Sequence, residues 1–139
     1  MSTEIVKLKI KQENQTLRKD KEIEDKFIEA CMNLDETIFE PLIDEDQYFE
    51  DLDKYRFLQT MKNVFDRARW LKHSSVVPRK GVCTGCQGGH ETYEFKGEDM
   101  QHVFSYIIIR NDDGFIEDIF QCMYSSGSGF VLWPKDLPF

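Results

Sequence analysis

The chain reads as an α+β protein with its helices first and an antiparallel sheet after them. Three observations lead there. Apolar residues recur at threes and fours between about residues 20 and 72, and alternation with β-formers takes over from residue 76. The turn signals of the second half, Lys96-Gly97-Glu98-Asp99 and Asn111-Asp112-Asp113-Gly114, suit hairpins rather than crossover helices. Nothing repeats, and 139 residues suffice for one domain that buries roughly two-thirds of its unfolded surface.

Composition narrows the class. A hydrophobic share of 40%, with eleven phenylalanines, is more apolar material than a disordered chain carries. The net charge of −8 argues against nucleic acid, since phosphate binding needs a basic stripe. No apolar run approaches the about 18 residues that span a membrane. Met1-Ser2-Thr3-Glu4 lacks the pattern of a secretory leader, so a reducing cytoplasmic setting is expected.

In chain order, residues 1–19 form an N-terminal arm or edge strand. Val6, Leu8 and Ile10 alternate there with Lys7, Lys9 and Lys11, and lysines on an edge discourage further pairing. A helix is expected over Asp20 to Asn33, with Ile23, Phe27, Ala30, Cys31 and Leu34 as its inner stripe. A short helix follows over Glu36 to Leu42, limited by Pro41. Residues 43–53 read as a solvated acidic connector; they lack the glycine and the terminal glutamate of a calcium loop. A longer helix covers Lys54 to Lys72, with His73 beside its C-terminal carbonyls. The sheet region, 76–133, opens with Val76-Val77 ahead of Pro78. Strands follow at Glu91 to Lys96, His102 to Arg110, Phe115 to Tyr124 and Phe130 to Trp133.

This order of elements resembles the nuclear transport factor two-like, or SnoaL-like, superfamily with its cystatin-like cone. The resemblance covers about residues 20 to 124, and Asp113-Gly114-Phe115-Ile116-Glu117-Asp118-Ile119 is similar to that family's strand pattern. It implies a cone-shaped α+β barrel with a pocket between helices and sheet. It also implies a choice between lyases or isomerases and non-catalytic binding or dimerisation modules. The glycine-rich insert around residue 85 and the Ser-Gly tail depart from the family pattern.

That insert, Gly81 to His90, packs two of the four cysteines and one of the three histidines into ten residues. Cys83, Cys86 and His90 have the C-x2-C-x3-H spacing of a structural zinc knuckle, with Cys122 a fourth ligand if its strand neighbours the turn. A dithiol and inert structural thiols are the alternatives; Gln87-Gly88-Gly89 is a poor helix start for a thioredoxin-like centre. For an enzyme, the acid–base candidates are His102, Tyr106 and Asp118, and Tyr106 and Asp118 can cooperate only if their strands agree in phase. For a binding module, the aromatic excess suits a small apolar ligand. Strand 102–110, apolar on both faces, suits a homodimer through the sheet.

Overall fold

A computed structural model describes residues 7–10, 16–43, 53–83, 90–122 and 130–132. The acidic connector at 44–52, the loop that holds Cys86 and the Ser-Gly tail lie outside the described residues. The class is α+β: α1 (Leu17–Asn33) and α2 (Asp53–Trp70) precede most of a six-stranded antiparallel sheet. Its strands are β1 (Lys7–Lys9), β2 (Val77–Cys83), β3 (His90–Lys96), β4 (His102–Arg110), β5 (Ile116–Gln121) and β6 (Phe130–Leu132). They lie in the order β1-β5-β4-β3-β2-β6.

α1 starts three residues before the expected Asp20 because Thr16 caps it: the Thr16 hydroxyl accepts the Lys19 amide at 3.1 Å. It ends at Leu34, whose φ of 54° is the left-handed turn glycine usually supplies. Leucine holds the position because its side chain is wholly buried, and that burial outweighs about 1 kcal/mol of backbone strain. The segment after it forms two short 3-10 turns, Glu36–Ile38 and Glu40–Leu42, instead of one helix. Pro41 lies in the second turn and removes a donor there.

β2 runs through Pro78. Pro78 pairs with Phe95 on β3, whereas among the described residues β6 pairs only with Gly81 to Cys83. The proline therefore sits where β2 is an edge, the place a missing N–H is tolerated. β1 pairs with β5, Leu8 opposite Ile119, so the lysine-rich arm is an edge strand.

The core lies between the helices and one face of the sheet. Phe27 and Phe39 meet edge-on at 5.2 Å, and Phe27 meets Tyr106 at 5.0 Å. Phe57 also meets Tyr106, while Phe104 links Phe65 and Phe95. All seven of these rings are buried. On the opposite face Ile107, Phe120 and Cys122 form a second group. Ile107 is 1% exposed and Thr92 and Ser105 are buried beside it within a single chain, so burial of the centre of this face needs no partner subunit.

Candidate functional site

The most elaborate cluster of polar side chains lies where the first two turns of α1 meet the end of β4. α1 places Asp20, Ile23, Glu24 and Phe27 along one stripe, so two carboxylates continue the line of the buried apolar residues. Opposite them, β4 ends at Arg110, where the β4–β5 register shifts. The following turn is built by Asn111, whose Oδ1 accepts the amides of Asp113 and Phe115, each at 3.0 Å. Gly114 supplies the φ of 88° that this turn requires.

Arg110 is the hub. Its Nε and Nη2 donate to Glu91 at 2.8 and 3.1 Å, and Nη2 donates to Glu24 at 2.6 Å. Its Nη1 donates to Asp20 and to the Gly114 carbonyl, each at 3.1 Å. The other oxygen of Asp20 accepts the Ile116 amide at 2.7 Å. Tyr93 donates its hydroxyl to Glu24 at 2.5 Å, and Lys80 lies 3.5 Å from Glu91 and 3.9 Å from Glu24. Three largely buried carboxylates thus share one guanidinium and one ammonium. A cavity of about 420 Å³ opens beside them, lined by Leu17, Asp20, Lys21, Glu24, Lys80, Arg110 and Gly114.

The electrostatics follow from this packing. Burial works to raise Glu24, but the Tyr93 hydrogen bond and the Arg110 guanidinium outweigh it and hold the carboxyl below its ordinary value. Tyr93 is pushed well above its ordinary value, first by burial and then by its bond to Glu24. Burial works to lower Arg110, yet Glu91 and Glu24 carry it higher. The guanidinium fills the space between the carboxylates, and among the described residues no three His, Cys, Asp or Glu side chains are arranged to hold a metal ion.

The residues singled out from sequence lie elsewhere. Tyr106 sits in the aromatic core, wholly buried, and its hydroxyl has no hydrogen-bond partner among the described residues. Burial, with the neighbouring Cys31 adding to it, drives its pKa far up. Asp118 pairs in register with Ile109, whereas Tyr106 pairs with Gln121. The phases disagree, and these two candidates face opposite sides of the sheet. His102 begins β4, half-buried, with Nε2 2.8 Å from the Ser105 hydroxyl. Burial lowers its pKa, with Lys96 adding to the effect and Glu94 opposing it.

Cys83 and His90 are register partners across β2 and β3, and Cys83 also pairs with Phe130 of β6. Cys86 falls outside the described residues. Cys122 is buried, and its amide bonds to the Ser105 carbonyl on β4, level with Glu94 of β3. β4 stands between β5 and β3, so Cys122 lies two strand steps, about 10 Å, from β3, and four residues, about 13 Å, along it from His90. Among the described residues β5 neighbours neither β2 nor β3, and the turn that holds Cys86 lies outside them.

The Arg110 cluster was missed in the sequence because each member there looked like an ordinary solvated charge. The available signal was the spacing of Asp20 and Glu24 on the apolar stripe, where a solvated carboxylate is out of place. Comparison of the chain with family models, curated proteins and solved structures gave no match. Among the described residues no helix is long and apolar enough to cross a membrane.

Proposed function

We propose that the protein is a non-catalytic small-ligand-binding module of the SnoaL-like, cone-shaped type, with its ligand seat in the charged cavity beside Arg110. One observation carries this reading: the aromatic rings around Tyr106 fill the space between helices and sheet where that family keeps a reaction pocket. The cavity at the end of α1 is then the better seat. Its charged lining, Asp20 and Glu24 against Lys21, Lys80 and Arg110, is balanced to within one charge, with Glu91 paired to Arg110 and Lys80 behind it, and Leu17 gives it an apolar wall. The paired charges select no charged head, and the apolar wall favours a small ligand with a short apolar body. The mutual pairing of the charges limits affinity to the weak range.

Titration of labelled protein with butanol tests this. Butanol up to about 10 mM, enough for a millimolar Kd, is expected to shift the amides of Lys21, Glu24 and Gly114. Unmoved amides sink the reading. The lyase or isomerase alternative is disfavoured by the opposed faces of Tyr106 and Asp118 and by the place of His102 at a strand start.

A structural zinc clamp at Cys83, Cys86 and His90 accompanies this reading, without Cys122. The pairing of Cys83 with His90 at the close of the β2–β3 connection favours it, since a metal there would pin the two strands where β6 joins. Protein purified without added metal is expected to carry about one zinc per chain and to melt at a lower temperature after chelation. Metal-free protein whose melting is indifferent to zinc would rule the clamp out.

A further inference from the structure

Arg110 lines the cavity at the start of α1, and its side chain keeps 24% of its exposure. Its N–H groups are not what it offers a ligand. A guanidinium has five of them, and Arg110 makes five bonds: two to Glu91, one to Glu24, one to Asp20 and one to the Gly114 carbonyl. These acceptors lie around the rim of the group, because its N–H bonds point outward in the guanidinium plane. What Arg110 can still present to the cavity is the flat face of that plane and the stem behind it.

The other charged groups of the lining are in the same condition. Both Asp20 oxygens accept bonds, one from Arg110 and one from the Ile116 amide. Both Glu24 oxygens do so too, from Arg110 and from the Tyr93 hydroxyl. Lys21 pairs with Asp25 at 2.9 Å, one turn along α1, and Lys80 is 3.9 Å from Glu24 and 3.5 Å from Glu91. A ligand with a charge or a strong donor must break one of these bonds to gain another. A ligand with a flat π surface breaks none: it meets the guanidinium on its face, by cation–π attraction and stacking, and leaves the edge bonds in place. Five bonds also fix the orientation of that face, so little side-chain freedom is lost when a ring lands on it.

We propose that the ligand of this cavity is a small, uncharged, planar aromatic molecule that stacks on the guanidinium face of Arg110, with Leu17 as its apolar wall. This rests on the ligand-binding reading and names its ligand class: the short apolar body is a flat ring. Size agrees, since about 420 Å³ lies within the roughly 300–1,000 Å³ of small-molecule sites. Among the described residues Leu17, 78% exposed in the first turn of α1, is the one large apolar side chain of the lining.

Phenol and cyclohexanol, six-membered rings with the same hydroxyl, separate this from the broader reading when titrated into labelled protein beside butanol. All three are expected to shift the amides of Lys21, Glu24 and Gly114. Phenol is expected to bind about 2- to 5-fold tighter than cyclohexanol. It is also expected to move the Arg110 Nε–H proton upfield, the shielding felt above the face of an aromatic ring, whereas cyclohexanol has no ring current to do so. Phenol that binds no tighter than cyclohexanol and leaves that proton in place overturns the proposal, while the amide shifts uphold the ligand-binding reading. Tighter binding of phenol without the Arg110 shift overturns it as well, because the ring then sits elsewhere. A cavity that takes butanol but neither ring overturns the proposal alone. Amides unmoved by all three overturn both.

Discussion

Tyr106 shows at the level of one side chain how a residue chosen for chemistry turns out to be packing. Its ring meets Phe27, Phe57 and Phe104, while its hydroxyl, wholly buried, has no hydrogen-bond partner among the described residues. A buried polar group in that state costs about 1–3 kcal/mol of desolvation. Replacing the group without changing the ring recovers part of it. Tyr106→Phe is therefore expected to leave the fold intact and raise unfolding free energy in urea by about 1 kcal/mol. A loss of stability instead would mean that the hydroxyl has a partner, and would reopen the catalytic reading of this residue. Cys31 is similar: burial raises its pKa well above the ordinary thiol value, so it packs as a small apolar side chain and has little thiolate to react.

At the level of elements, Arg110 joins α1, β3 and the β4–β5 turn through side-chain hydrogen bonds. Arg110→Met leaves Asp20, Glu24 and Glu91 beside one another without the guanidinium that bonds all three. The expected loss is about 3 kcal/mol, the lower end of the range for a broken buried pair, because the guanidinium keeps 24% of its exposure. The same cluster sets a pH window. Glu24 is held below its ordinary 4.5, so its contribution is full above that value and is lost as pH falls through the lower folded value. Tyr93 is held above its ordinary 10.0, so its contribution is full below that value and is lost as pH rises beyond it. Stability is expected to stay level between these limits as far as this cluster is concerned. The acid limb should flatten in Glu24→Gln, as measured by urea midpoints from pH 3 to 7. An acid limb equally steep in that variant would place the titration elsewhere.

For the whole molecule, the consequential pairing joins the two halves of the chain. β1 hydrogen-bonds to β5, Ile10 donates its amide to the Glu117 carbonyl at 2.9 Å, and Leu8 enters the core at 1% exposure. Leu8→Ala is expected to cost about 2–4 kcal/mol in denaturant unfolding, a core-sized loss from a residue in a lysine-flanked arm. A loss below about 0.5 kcal/mol, the range of surface substitutions, would mean the arm does not dock.

The α+β class, the two long helices and the four main strands were determined by local patterning. Ile23, Phe27 and Cys31 repeat at helical spacing, and Asp113-Gly114 forces a turn wherever the chain goes. Such features are legible because they depend on residues within a few positions of one another. Pairing between distant strands has no such local signature. Only the tertiary structure decided that β4 separates β5 from β3, which parts Cys122 from His90, and that Tyr106 and Asp118 face apart. It also decided that Arg110, eighty-six residues from Glu24 in the chain, meets it at 2.6 Å. The physical reason is the same in each case: the free energy of these contacts comes from burial and charge pairing across the fold, and the residues that share it carry no mark of one another in sequence.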